Sequence, residues 1–140
     1  MEDRKQKEVE WGNFRRSSEV VNDPEKSKQF LANKKFYSVV RKTIKFQEEW
    51  FASRSKDKKV LVLGCGEGAE TFFIAKSGGI VTGIDLSDVG VENAKKRAQD
   101  EKIDGIEFLV MDAENTTFPD SSFDIITASG VLHHLDIEKA

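Results

Sequence analysis

Three glycines fall on alternate positions of "VLVLGCGEG", at Gly64, Gly66 and Gly68, directly after a short apolar run. Glycine at that spacing lets backbone come close to something bulky and adopt conformations that other residues avoid. The next apolar run, "IVTGID", closes on Asp85, at the distance of about 20 residues that suits a ribose-binding carboxylate. A carboxylate there can accept two hydrogen bonds from a ribose diol, each worth about 1.5–3 kcal/mol. Asp112 closes a third run, "IEFLVMD", and suits an exocyclic amine such as that of adenine, with Ala113 beside the ring. A fourth run, "FDIITASGV", leaves through the small residues Ala128, Ser129 and Gly130, where a ligand tail can approach closely. The plainer alternatives are a capping or loop role for Asp85, although Ser87 is the better cap, and a turn role for Asp112.

Two cofactors compete for this pattern. Gly64-x-Gly66-x-x-Ala69 followed by Asp85 also fits a dinucleotide fingerprint, so the first two runs say nucleoside without saying which. A pyrophosphate calls for a helix start rich in donors. Here the loop carries Glu67 and no basic residue, and an acidic site is the better host for a sulfonium with an ammonium nearby. That favours S-adenosylmethionine over NAD. His133 and His134, the only histidines, follow the fourth run at the mouth of such a site. One of them could act as a general base where an acceptor must lose a proton. The alternative is that the pair packs and caps a following helix; neighbours on a helix point apart, so at most one faces the site. No spacing supports a metal centre. Cys65 reads as a small space-filler, since nothing nearby in sequence would activate it.

The elements that must position these residues alternate from residue 57 onward. Strands are expected at 60–64, 80–85, 106–112 and 123–131, with helices over "AETFFIAKS" and over "DVGVENAKKRAQDEK", the latter capped by Ser87 and buried along Val91, Ala94 and Ala98. "LHHLDIEKA" is expected to begin a further helix. This order is that of a doubly wound α/β domain, whose ligands bind beyond the carboxyl ends of the strands. Residues 23–56 read as one long helix, with Asp23 as N-cap and Pro24 in the first turn. Phe30, Tyr37, Val40, Ile44 and Phe51, widened by Phe36, Val39, Phe46 and Trp50, would lay it on the sheet or over the ligand as a lid. Residues 1–22 read as a polar arm, partly ordered at best, with isolated anchors at Trp11 and Phe14.

With 140 residues the chain makes one domain, and a formal charge of −3 gives no general reason to bind nucleic acid or an anionic membrane. No apolar run approaches bilayer-spanning length. A single cysteine forbids an intrachain disulfide and fits a reducing compartment, with the cytoplasm as the default location.

Taken together, "VLVLGCGEG", "VTGIDLS" and "FLVMDAENTTFPDSSFDIITASGVLHHL" resemble the class I S-adenosylmethionine-dependent methyltransferases, of the small-molecule type with "GVLHHL" after the fourth strand. The resemblance covers roughly residues 58–138. It implies a Rossmann-like methyltransferase fold and S-adenosylmethionine as cofactor, with Gly64, Gly66 and Gly68, and Cys65 among them, facing its aminoacyl part. Asp85 would take the ribose, Leu86 would pack on adenine, and Asp112 with Ala113 would hold the adenine amine. Ser129 would sit near the methionine moiety. The methyl acceptor would be a small molecule of unidentified nature. Two departures stand out: Val62 occupies a position where the family usually has an acidic residue, and the family's sheet has seven strands, whereas four are expected here. Either a longer protein supplies the rest, which is the favoured account, or a second chain completes the sheet. A non-catalytic S-adenosylmethionine-binding module and an NAD-dependent oxidoreductase remain the rival readings.

Overall fold

The computed structural model describes residues 3–25 and 37–140, with side chains left aside over 37–43. Helix α1 (Asp3–Arg16) is followed by a short helix α2 (Ser18–Val21), and helix α3 (Tyr37–Arg54) leads into the α/β domain. Strand β1 (Lys59–Leu63), helix α4 (Ala69–Lys76), strand β2 (Ile80–Asp85), helix α5 (Asp88–Asp100), strand β3 (Ile106–Val110) and strand β4 (Ile125–Thr127) complete the element order. A single 3-10 turn, Leu132–His134, stands where a further helix was expected.

The four strands form one parallel sheet in the order β3-β2-β1-β4. Val60 pairs with Val81 on one side and Ile125 on the other, so β1 is central and the chain reverses direction across the sheet beside it. Val60, Leu61 and Val62 are all buried, as expected of a strand covered on both faces. Val62 sits in the main apolar cluster with Phe72, Ile74, Val81 and Phe108. A valine is therefore at home at the position where an acidic residue was noted as missing.

Helix α5 starts as the sequence predicts: the Ser87 hydroxyl accepts the Gly90 N–H at 3.0 Å, and Val91 and Ala94 are fully buried beneath it. Strand β4 is much shorter than predicted. Among the described residues it pairs only with β1, over three residues, and Ile126 is 62% exposed.

The amino-terminal segment differs most from expectation. Residues read as a polar arm form α1, whose i,i+4 contacts include Lys7 Nζ to Asp3 Oδ2 at 2.6 Å and Gln6 to Glu10 at 3.2 Å. Helix α1 lies against α5. In the region read as one long helix, Asp23 accepts the Glu25 N–H at 2.9 Å. Phe30 and Phe36 lie outside the described residues, as do the side chains of Tyr37, Val39 and Val40. Of the remaining stripe, Phe51 is buried in the core and Trp50 packs against it, whereas Ile44 and Phe46 are exposed. In its described residues, α3 therefore reaches the core through its last turns.

Candidate functional site

The carboxyl ends of β1, β2 and β3 open onto one cavity of about 220 Å³. Gly64, Asp85, Leu86, Asp112, Ala113 and Gly130 line it from the sheet side. Strands β2 and β3 are neighbours, with Asp85 paired to Val110, so the two aspartates share one rim of the sheet. His134 also lines the cavity, with Nδ1 2.9 Å from Glu8 Oε1, while His133 is not part of the wall. Ser129, Cys65, Gly66 and Gly68 likewise stand outside the lining.

Asp85 takes up the loop role that the sequence offers as its plainer alternative. Its Oδ2 accepts the Gly66 N–H at 2.7 Å and its Oδ1 accepts the Ser87 N–H at 2.8 Å, so one side chain fixes both the glycine loop and the start of α5. The glycines are needed for close approach, but largely to this chain's own side chains. A Cβ on Gly64, where φ is +65°, would meet Val131 Cγ2 at 2.7 Å; one on Gly66, where φ is +52°, would meet Arg16 Nη2 at 2.9 Å. Gly130 differs: a Cβ there would meet nothing within 4 Å, so that wall of the cavity is open. Cys65 is buried behind the loop, and its thiol is pushed up to about 12, chiefly by burial and next by the negative charge of Asp85. A thiol in that state is no nucleophile at neutral pH, in keeping with a space-filling role.

The opposite wall comes from α1, which contributes Arg4, Lys5, Glu8, Trp11 and Arg16. Lys5 is hydrogen-bonded to Asp112, and Arg16 Nη1 lies 3.8 Å from Asp85 Oδ1. Glu114, a residue the sequence reading did not single out, anchors this wall. Its side chain is 1% exposed and meets Arg4 at 2.6 Å and Lys5 at 2.8 Å, and it accepts the Asp136 N–H at 2.7 Å. The Lys5 ammonium, then the Asp136 N–H and Arg4, hold its carboxyl down at about 2. Lys5 is raised in turn by hydrogen bonds to Asp112 and Glu114. Glu114 stands two residues beyond Asp112, but the cations that hold it, Arg4 and Lys5, lie more than a hundred positions away. Among the described residues, no group of side chains is arranged to hold a metal ion.

A parallel sheet that reverses at β1, with carboxylates ending one strand and following the next around a glycine loop, defines the nucleoside-binding class of open α/β proteins. Residues 61–140 match the methyltransferase domain family, and the chain belongs to that family, the class I S-adenosylmethionine-dependent methyltransferases. It is 39% identical over 80 residues to a ubiquinone biosynthesis O-methyltransferase of Coxiella burnetii, covering 57% of this chain and 34% of that protein. It is 41% identical over 75 residues to an aklanonic acid methyltransferase of a Streptomyces species, covering 51% and 34%. A solved protein of Pyrococcus horikoshii superposes with a TM-score of 0.55 at 32% identity, over 62% of this chain and 41% of that one. A S-adenosylmethionine-dependent methyltransferase from Aquifex aeolicus shares the fold, with a TM-score of 0.55 over 59% and 45%. The chain spans about a third of the length of the curated relatives it matches.

The cofactor of the family is S-adenosylmethionine, and the donor set suits it. Two carboxylates on one rim offer acceptors to a diol, an amine and a positive charge, and the open wall at Gly130 leaves room beside them. Among the described residues, no helix is long and apolar enough to cross a membrane.

Proposed function

We propose that the chain carries the cofactor-binding part of a cytoplasmic methyltransferase that moves a methyl group from S-adenosylmethionine to a hydroxyl oxygen of a small-molecule acceptor. The observation carrying this reading is that Asp85 and Asp112 line a single cavity with Gly64. The relatives include a ubiquinone biosynthesis O-methyltransferase and a 27-O-demethylrifamycin SV methyltransferase, which supports oxygen as the acceptor atom.

S-adenosylmethionine supplies, when bound, a methyl carbon already activated by its sulfonium. What remains for the protein is mainly orientation and exclusion of water. Asp85 accepts from the ribose hydroxyls while still holding Gly66, and Asp112 accepts from the adenine amine. Leu86 and Ala113 give the base an apolar seat. Gly64 and Gly130 keep the backbone low along the rest of the molecule, with Ser129 close by. His134 is the side chain set to take a proton from the acceptor hydroxyl, its ring oriented by Glu8 at Nδ1.

Calorimetric titration of the chain with S-adenosylmethionine and with NAD tests the reading. S-adenosylmethionine binds, and Asp85→Ala weakens it by at least about ten-fold, the loss of one charge-assisted hydrogen bond. Binding of NAD alone, or an unchanged affinity in Asp85→Ala, overturns it.

A further inference from the structure

The cavity is small for the molecule just assigned to it. Small-molecule sites run to about 300–1,000 Å³, and this one holds about 220 Å³. What fills the difference is α1. Lys5 sits on Asp112 and Arg16 on Asp85, so the two carboxylates assigned to the cofactor already carry cations from the chain itself. Arg16 also lies over the glycine loop, where a Cβ on Gly66 would meet its Nη2 at 2.9 Å and the guanidinium would have to shift.

The geometry points to α1 as a built-in competitor for the cofactor, an inference resting on the proposed function. Lys5 and Arg16 stand in for the donors of S-adenosylmethionine and must be exchanged for them when it binds. The helix is suited to leaving, because none of its residues is buried and its grip on the rim is polar. Asn13 contacts Asp88 and Ser87, each at 2.6 Å, and Glu8 contacts His134.

The two ends of α1 are not held equally. Arg4 and Lys5 both meet Glu114, a buried carboxylate whose cations cannot be removed cheaply. Arg16 holds Asp85 only at 3.8 Å. On exchange, Lys5 gives up Asp112 and keeps Glu114, so the first turn stays as a tether. The last turn, with Asn13 and Arg16, swings clear of the glycine loop and returns when the site empties.

The test uses the full chain, S-adenosylhomocysteine as the titrant, and the variant Lys5→Met/Arg16→Met. The variant binds at least about five-fold tighter than the wild type, the scale of two partly exposed ion pairs. Raising the salt from about 50 to 500 mM screens those pairs and so tightens wild-type binding, with no gain in the variant. A ligand-free reading follows Trp11 emission in a Trp50→Phe background, where Trp11 is the sole tryptophan. It shifts to the red in the variant as α1 loosens, and tryptic cleavage within α1 accelerates in the natural background. Equal or weaker binding by the variant overturns the inference and leaves the cofactor assignment standing, as does unchanged Trp11 emission with unchanged cleavage. Failure of wild type and variant alike to bind overturns the cofactor assignment and this inference with it.

Discussion

Helices α5 and α1 lie side by side on the same rim, attached by opposite physics. Helix α5 is fixed by apolar burial, with Val91 and Ala94 at 0% exposure and a hydroxyl cap at its start. Helix α1 has no fully buried residue and is held by charges and amides. The first kind of attachment is indifferent to a ligand; the second uses the same carboxylates a ligand would use. A framework and a cover can thus be told apart by what each one buries, even where they touch.

The sharpest way to break that contrast is to charge each helix in turn. Val91→Asp places an unpaired carboxylate under α5 and costs about 3 kcal/mol or more, enough to unfold much of the population in a urea titration. Phe14→Asp, on the exposed side of α1, shifts the same midpoint by no more than about 0.5 kcal/mol. Equal losses would mean that α1 is framework after all.

Asp85→Ala is next in size. It strands the Gly66 and Ser87 N–H groups and lowers stability by about 1–3 kcal/mol, read from the same titration. That effect is independent of any cofactor and separates the scaffolding role of Asp85 from the binding role proposed for it.

Glu114 gives a pH test. Its carboxyl is held down at about 2 against an ordinary 4.5, so its contribution is complete above about 4.5 and is lost as the pH falls toward 2. The wild type therefore loses stability through that window more steeply than Glu114→Gln, as urea midpoints against pH will show. Parallel profiles would deny Glu114 its place as the anchor of α1. The smallest effect concerns Cys65, protonated up to about 12 in the folded chain. A thiol reagent at pH 8 leaves it untouched until urea unfolds the protein, and rapid labelling of the native chain would show the glycine loop to be open.

How much of this was legible follows the same division. The second strand, its terminal aspartate and the Ser87 cap were readable because each depends on neighbours close in sequence. Asp112 came out on the predicted rim because the register of β3 beside β2 follows from two apolar runs. Helix α1 was not readable by its apolar pattern, since it buries no stripe; the i,i+4 pairs Asp3–Lys7 and Gln6–Glu10 are its local signal. Lys5, Arg16 and Glu114 owe their roles to partners far along the chain, which periodicity cannot express. Strand β4 came out short, pairing with β1 over only three residues, a length that its apolar run did not express.

The contact of Arg4 with the His134 carbonyl joins positions separated by 130 residues. Closing so long a loop is entropically costly and brings little until both ends have something to grip. Synthesised before the sheet, α1 has no partner on this rim until β3 and Glu114 are in place, so its docking is expected to follow the folding of the sheet.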